Sequence, residues 1–358
     1  MAQWSPGKRV VVLGAGATRG AEFVDRKSPI CLPPLNADFF TQLQRIETRK
    51  HQRAVDLVLR DVRKVYGSNY RVTLEQYVTQ LESLKEMAEL LPVANKSFTM
   101  EGLEEMSRRL LVGLSAVLEE SADVTKQNSI ARMHPCSYHE NVVCSLEPRD
   151  SVISFNYDCV IDDALRTHAD GRWSARYGYC FPNPSRVSGH EKWDTESPPD
   201  TENASINLLK LHGSLNWRPL PSSDDEAIRL REKPYKQGGD KEYELVPPEN
   251  SKRLDQRPIL QRLWGNAERA LRRAETICLI GFSFTPTDLH VDSLFRMALA
   301  ANTQLRRVII INPDADHRRA VREVFRSQLD RDIRLVQFDR FKDFSPHAKD
   351  VLAAAPSS

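Results

Sequence analysis

The chain has 358 residues, of which 51 are lysine or arginine and 49 are aspartate or glutamate, so its formal net charge is only +2. This near-neutral balance argues against a protein that binds polyanions through a large field of one sign. Hydrophobic residues make up 40% of the chain, which is enough for a substantial core and excludes a mainly disordered protein. Apolar runs such as 10–13 and 308–311 are far shorter than the roughly 20 residues that span a bilayer, so we expect a cytoplasmic protein with no membrane contact.

The first predicted strand, Val10 to Leu13, leads into a glycine-rich turn that reads Gly14-Ala15-Gly16-Ala17-Thr18-Arg19-Gly20. A short β-branched run that ends in glycines is typical of a buried parallel strand that feeds a helix N-terminus, where backbone N–H groups can approach a phosphate. The dehydrogenase pattern Gly-x-Gly-x-x-Gly requires a third glycine where this chain has Arg19. The turn therefore disfavours an ordinary hydride-transfer enzyme.

A long segment with helical periodicity follows, from residue 38 to residue 147. Its apolar residues form three stripes at helical spacing: 54, 55, 58, 62 and 65; 74, 77, 78 and 81; and 103, 106, 110, 114 and 117. Thr73 and Gln76 form a capping-box pattern ahead of the second stripe. Each stripe predicts an amphipathic helix whose apolar face belongs to the core or to a subunit interface.

Four more short apolar strands are predicted, and each one ends in polar residues or glycine. The residues that follow them are Asn156-Tyr157-Asp158, His212-Gly213-Ser214, Gly281-Phe282-Ser283 and Asn312-Pro313-Asp314. The carboxyl ends of parallel strands share one edge of an open α/β sheet, and ligands bind in the crevice outside that edge. The pattern predicts an α/β fold with a Rossmann-like parallel sheet and one composite site.

Two polar, proline-rich stretches, 182–205 and 218–257, are too long to be simple connections. We expect them to form a lid over the site. The predicted organisation is one domain, 1–358, in which 1–37 and 148–358 form the sheet portion with a lid at 182–257, and 38–147 is a helical insertion.

The six cysteines include no Cys-x-x-Cys pair, which argues against a disulfide scaffold and a zinc ribbon. The one local cluster is His134, Cys136 and His139, with Cys144 beyond it. It lacks the distant second pair of ligands that a zinc site normally has, and it favours a helix entry with a buried cysteine. We expect no metal.

Taken in chain order, these motifs resemble the sirtuin-like NAD-binding family, and most closely its bacterial branch, whose members degrade NAD in antiphage defence. The resemblance covers Lys8 to about Asp314. Thr18 stands where the family usually has serine, which keeps the hydroxyl group. Protein-deacylating sirtuins also carry a four-cysteine zinc ribbon that this chain cannot supply, so the resemblance favours hydrolysis of NAD over removal of acyl groups from lysine.

The resemblance implies an NAD+ hydrolase (NADase) in which NAD is the substrate. It implies that Asn156 and His212 are catalytic and that Asp158 lies on the nicotinamide side. The residues that it assigns to NAD binding are Gly14, Ala15, Gly16, Thr18, Asp158, Gly281, Ser283, Asp288 and Asn312.

The chemistry is plausible for these residue types. Breaking the bond between nicotinamide and ribose builds positive charge on the sugar, as in glycoside hydrolysis, and nicotinamide leaves as a neutral molecule. The enzyme then mainly has to position a water and supply a base near pH 7. A histidine, with an ordinary pKa of about 6.5, can be that base.

Three alternatives stay open from the sequence. The pocket could hold NAD or an ADP-ribose derivative as a regulatory ligand, the chain could be a zinc-free deacylase or ADP-ribosyltransferase, or it could be a nucleic-acid-binding scaffold. The basic clusters at 229–231 and 269–273 are more typical of solvated helix faces than of the last class. The apolar stripes of the helical insertion also allow self-assembly, so we expect a homo-oligomer. The resemblance implies a separate partner, either an ATPase or helicase of the HerA type or a nucleic-acid-guided protein.

Overall fold

The computed structural model describes residues 6–27, 29–91, 97–122, 125–127, 130–132, 136–220, 227–232, 234, 258–285, 288–331 and 333–353. The strands in these residues are β1 (Arg9–Leu13), β2 (Thr125–Gln127), β3 (Ile130–Arg132), β4 (Ser151–Ser154), β5 (Val187–Ser188), β6 (Asn207–Lys210), β7 (Trp217–Pro219), β8 (Ile228–Leu230), β9 (Thr276–Ile280), β10 (Arg307–Ile311) and β11 (Arg334–Phe338). The α-helices are α1 (Ala15–Arg19), α2 (Glu22–Lys27), α3 (Phe39–Gln44), α4 (Arg49–Tyr66), α5 (Leu74–Leu90), α6 (Met100–Ser121), α7 (Ser137–Cys144), α8 (Val160–His168), α9 (Ala175–Gly178), α10 (Pro258–Arg273), α11 (Leu289–Ala300), α12 (Ala315–Val324), α13 (Arg326–Leu329), α14 (Phe341–Phe344) and α15 (Ala348–Leu352).

A parallel sheet forms the centre of the molecule, and its strand order is β11-β10-β9-β1-β4-β6. The N-terminal strand β1 lies inside it, where Val12 is opposite Ile153 of β4 and Leu279 of β9. Every residue of β4, β9 and β10 is buried. Since successive side chains of a strand point to opposite faces, both faces of this sheet are covered. The predicted α/β class and parallel sheet are confirmed.

The strand at one edge of the sheet, β11, is missing from the sequence prediction. Its side chains alternate irregularly between exposed and half-buried, with Arg334 and Gln337 exposed. An edge strand with polar residues lacks the continuous apolar run by which the other parallel strands are recognised.

The three apolar stripes of residues 38–147 lie on helices α4, α5 and α6, as predicted. The Thr73 hydroxyl accepts a hydrogen bond from the Gln76 N–H at 3.1 Å, and the Gln76 side chain accepts one from the Thr73 N–H at 3.0 Å, so the capping box also forms. The stripe of α6 is buried within this chain: Leu103, Met106, Leu110, Leu114 and Val117. It is therefore core and not a free interface.

The segment predicted as a lid, 182–257, contains a small sheet of β5, β8 and β7. Residues 221–226, 233 and 235–257 lie outside the described residues. The covering role of this segment stays a prediction.

The cysteine and histidine cluster lies at the start of α7. Cys136 precedes the helix and is buried, and its Sγ is 3.1 Å from Nδ1 of the buried His139, whereas His134 lies outside the described residues. Among the described residues, no group of three or more His, Cys, Asp and Glu side chains could hold a metal ion. No helix in the described part of the chain is both long and apolar enough to cross a membrane.

Candidate functional site

A cavity of about 730 Å³ lies at the carboxyl edge of the central sheet. Every site residue predicted from the sequence lines it: Gly14, Ala15, Gly16, Thr18, Asn156, Asp158, His212, Gly281, Ser283, Asp288 and Asn312. Their strands are distant in sequence and adjacent in the sheet. The structure thus brings the predicted residues together in one place, as expected for the ends of parallel strands.

The order of the strands in the sheet determines the order in which these groups lie along the cavity. Asn312 follows β10, Gly281 follows β9, the glycine turn follows β1, Asn156 follows β4, and His212 comes two residues after β6. Neighbouring strands lie about 4.8 Å apart, so the site extends over roughly 19 Å between the ends of β10 and β6. This is an elongated site, suited to an extended ligand.

A buried hydrogen-bond chain links the glycine turn to the end of β4. The Asn156 amide donates to the Gly14 carbonyl at 3.0 Å and to the Thr18 hydroxyl at 3.2 Å, and the Thr18 hydroxyl donates to Asp158 at 2.8 Å. These side chains are less than a tenth exposed. The amide nitrogen of Asn156 therefore faces the protein, and its carbonyl oxygen is the group that remains for a ligand.

Both oxygens of Asp158 accept hydrogen bonds from the protein. One accepts from Thr18, and the other accepts from the Val160 N–H at 3.0 Å at the start of α8. Burial raises the pKa of this carboxyl, while the ammonium of Lys210 acts in the opposite direction. These contacts indicate that Asp158 shapes the cavity wall through Thr18 and α8.

The imidazole of His212 lies between aromatic rings at the far end of the cavity. It packs edge-on against Phe155, with ring centres 5.2 Å apart, and stacks on Tyr157 at 6.0 Å. Its Nε2 is 3.5 Å from a carboxylate oxygen of Asp288, whose other oxygen accepts from the Val291 N–H and caps α11. Asp288 thus serves as the N-cap of α11, and its carboxylate lies beside His212.

The glycine turn packs tightly against Gly281. Gly16 donates its N–H to the Gly281 carbonyl at 2.9 Å, and a Cβ at Gly16 would lie 2.7 Å from the Gly281 Cα. Gly281 has a φ of +55°, and its own Cβ would lie 2.1 Å from the Gly16 carbonyl carbon. The glycines at these positions are required by the close approach of two backbones, independently of any ligand.

The remaining predicted residues lie towards β10. Asn312 donates to the Phe282 carbonyl at 3.1 Å and accepts from the Asp314 N–H at 3.0 Å, so its side chain connects the ends of β9 and β10. Ser283 is half-buried on the cavity wall.

Part of the cavity wall was not predicted. Leu74, Glu75, Leu114 and Leu118 of the helical insertion line the cavity. Glu75 is buried and accepts from the Asn36 amide at 2.9 Å, which joins α5 to the segment that follows the glycine turn. In the sequence Leu74 and Leu114 belong to apolar helix stripes, which are typical of any core, and Glu75 and Leu118 are isolated residues beside them, so no local signal marks the four as part of a site.

Comparisons with known proteins give three similarities. A stretch of 47 residues is 40% identical to Zinc finger CCCH domain-containing protein 42 of Oryza sativa subsp. japonica; it amounts to 13% of this chain and 17% of the length of that protein. The fold is similar to the crystal structure of a Sir2 homolog–NAD complex at 13% identity, with a TM-score of 0.41, covering 96% of this chain and 90% of that one. A family model described as SIR2-like domain matches residues 150–332, which is just over half of the chain and includes β4 to β10. The chain belongs to the SIR2-like family.

Proposed function

We propose that this protein is an NAD+ hydrolase that cleaves the bond between nicotinamide and ribose and releases nicotinamide and ADP-ribose. The observation that carries the proposal is the placement of Asn156 and His212 at the ends of two neighbouring strands, at one end of a cavity of about 730 Å³. Membership of the SIR2-like family supports NAD as the ligand.

The orientation that we propose for NAD follows from the order of the strands. The nicotinamide ribose lies at the β4 and β6 end, near Asn156 and His212, and the pyrophosphate lies near the glycine turn and Ser283. The adenosine then extends towards Asn312. A span of roughly 19 Å across the strand ends suits a dinucleotide in an extended conformation.

The proposed roles of Asn156 and His212 follow from their hydrogen-bond capacity. The Asn156 carbonyl oxygen accepts a bond from a ribose hydroxyl or from the attacking water, and its dipole stabilises the positive charge that develops on the sugar. His212 takes a proton from the water or from a ribose hydroxyl. The carboxylate of Asp288, 3.5 Å from His212 Nε2, stabilises the resulting imidazolium.

Replacement of His212 or Asn156 by alanine tests these roles. Each variant should reduce the rate of nicotinamide release by roughly 10²-fold or more, because a general base or an oriented polar group is lost, while NAD affinity changes little. Chromatography of the products measures the rate, and calorimetry measures the affinity. The control is His347→Ala, which removes an exposed histidine outside the cavity lining.

The outcome also separates the alternatives. Wild-type protein that binds NAD and returns it intact would be a regulatory binding module. Nicotinamide release that requires an added peptide or protein acceptor would indicate a deacylase or a transferase. Variants with turnover within a few-fold of wild type would contradict the assignment of Asn156 and His212.

The resemblance of the motif set to the bacterial antiphage branch supports a cellular role as well: we propose an effector that depletes NAD on infection and is controlled by an ATPase or helicase of the HerA type or by a nucleic-acid-guided partner. Bacteria that express the wild-type chain with such a partner should lose NAD after infection, and bacteria that express the His212→Ala variant should not. Unchanged NAD in both strains would contradict this role.

A further inference from the structure

A fully buried lysine at the end of β6 bonds to the loop that follows β4, close in sequence to His212 and Asn156. Lys210 is the last residue of β6, and its side chain is 0% exposed. Its ammonium donates to the Asp158 main-chain carbonyl at 2.5 Å and to the carboxylate of Asp162 at 2.9 Å. Lys210 is two residues before His212, and Asp158 is two residues after Asn156.

From Asp162 a buried polar network extends to the far end of the loop that contains His212. The second oxygen of Asp162 accepts from the Tyr179 hydroxyl, and that hydroxyl accepts from the Asn216 amide at 3.0 Å. Asn216 lies four residues after His212. Lys210 and Asn216 thus hold the two ends of the loop that contains His212, and both are joined to Asp162 on α8.

Burial of an ammonium group is costly, and a buried ion pair often stabilises a fold no better than apolar residues of the same volume. Burial favours the neutral amine, but the Asp162 carboxylate holds the pKa of Lys210 above its ordinary value, so the lysine is charged and donates to both of its acceptors. Main-chain bonds already join these loops, from Leu211 N–H to the Ser154 carbonyl and from Leu215 N–H to the Tyr157 carbonyl. What Lys210 adds is a side-chain bond to the carbonyl that follows Asn156 and Tyr157.

We propose that Lys210 is a positioning residue, which sets the separation between Asn156 and His212 by fixing the Asp158 carbonyl and the start of α8. The proposal rests on the proposed function, since it assigns the two positioned groups to the cleavage of NAD. Lys210 is buried behind the cavity and is not among the residues that line it. Its removal should therefore lower kcat and leave the affinity for NAD nearly unchanged.

Two variants separate positioning from folding. Lys210→Met removes the ammonium and leaves Asp162 as an unpaired buried charge, which should also lower stability. In Lys210→Met/Asp162→Asn the buried charge is gone, and the asparagine carbonyl still accepts from Tyr179. The double variant should recover most of the stability of the wild type and still lack the bond to the Asp158 carbonyl.

The control is a partly buried ion pair of the helical insertion, in which Arg109, with its side chain 18% exposed, contacts the buried Asp61 at 2.5 Å. The Arg109→Met/Asp61→Asn variant applies the same pair of substitutions to an ion pair that lies outside the cavity lining. It should keep the kcat of the wild type.

Nicotinamide release and the melting temperature are measured for all variants, and NAD binding is measured by calorimetry. We expect the double variant at Lys210 and Asp162 to melt near the wild-type temperature. Its kcat should still be lower than that of wild type by roughly 10²-fold, the effect of a misplacement of about 1 Å. Its Kd for NAD should change by less than about threefold. Recovery of kcat together with stability would overturn the proposal, because Lys210 would then be only structural.

Hydrogen exchange gives a second readout that does not depend on activity. The backbone amides of residues 155–162 should exchange at least about tenfold faster in the double variant, whereas those of β9 and β10 should not change. Unchanged exchange at 155–162 would overturn the proposal even if the wild type does not cleave NAD. Absence of nicotinamide release from wild type, with faster exchange in the variant, would contradict only the proposed function.

Discussion

The hydroxyl group of Thr18 illustrates how much of the site depends on single polar atoms. It accepts from the Asn156 amide and donates to Asp158, so it fixes the direction of both side chains. The sequence predicts that Thr18, Asn156 and Asp158 share a site, because each follows a strand. It does not predict this bond pattern, since which donor meets which acceptor depends on packing between positions 138 and 140 residues apart.

A buried histidine outside the site should make the stability of the protein depend on pH. His139 is fully buried beside Cys136 and Phe341, and burial lowers its pKa from 6.5 to about 3. Between these two pH values the unfolded chain binds a proton that the folded chain does not, so stability falls as the pH falls below about 6.5. This residue alone should cost about 2 kcal/mol of unfolding free energy between pH 7 and pH 5.

Urea unfolding of wild type and of His139→Leu at pH 7 and pH 5 measures this contribution. Between pH 7 and pH 5 the unfolding free energy of the variant should fall by about 2 kcal/mol less than that of wild type, whatever the stability of the variant at pH 7. His347→Gln, which removes an exposed histidine, should behave as wild type. Equal losses of unfolding free energy in wild type and His139→Leu would contradict the role of His139 in the pH dependence.

At the scale of secondary-structure elements, the contact between the end of β9 and the glycine turn allows no side chain. Gly281→Ala would place a methyl group 2.1 Å from the main chain of Gly16 and Ala17, at a φ of +55°. We expect a loss of about 3 kcal/mol or more in unfolding free energy, from overpacking and from the left-handed backbone conformation. NAD binding should weaken along with it, because the turn has to move.

Gly265→Ala is the matched control. Gly265 is inside helix α10, and a Cβ there meets no atom within 4 Å. Alanine is the better helix former by up to about 1 kcal/mol, so this variant should be as stable as wild type or more so. Thermal unfolding compares the two, and a Gly281→Ala protein as stable as Gly265→Ala would refute the tight contact.

The sequence predicts the elements of this fold unevenly, for physical reasons. The five strands that lie inside the sheet or end at the site are found because burial on both faces requires continuous apolar runs, and α4, α5 and α6 are found because one apolar face gives a helical period. The edge strand β11 and the two- and three-residue strands β5, β7 and β8 carry no such pattern. Leu114 and Glu75 reach the cavity only through the tertiary packing of α5 and α6 against each other and against the segment after the glycine turn, which no local period encodes.

At the scale of the whole molecule, the apolar stripe of α6 is used inside the chain, so an oligomer has to form through another face. We predict that the C-terminal end of α5 contributes to it, where Leu90 is 68% and Leu91 is 62% exposed. Light scattering should give a mass above the 40.8 kDa of one chain. Leu90→Glu/Leu91→Glu should lower that mass, because burying a carboxylate in an interface is costly.

Met297→Glu is the control, since Met297 is 69% exposed on the separate helix α11. It should leave the mass unchanged. A strict monomer that cleaves NAD at full rate without any partner would contradict both the oligomer and the proposal of external control.

The central position of β1 has a consequence for the synthesis of this protein. One neighbour of β1, strand β4, begins at Ser151, and the other, β9, begins at Thr276, so β1 stays without its second partner until most of the chain has left the ribosome. Contacts between such distant segments form late, after the long intervening chain has been made. The end of β9 also supplies Gly281, against which the glycine turn packs. A chain that ends before β9 therefore has no assembled site, and the complete cavity is present only in molecules whose synthesis has passed β9 and β10.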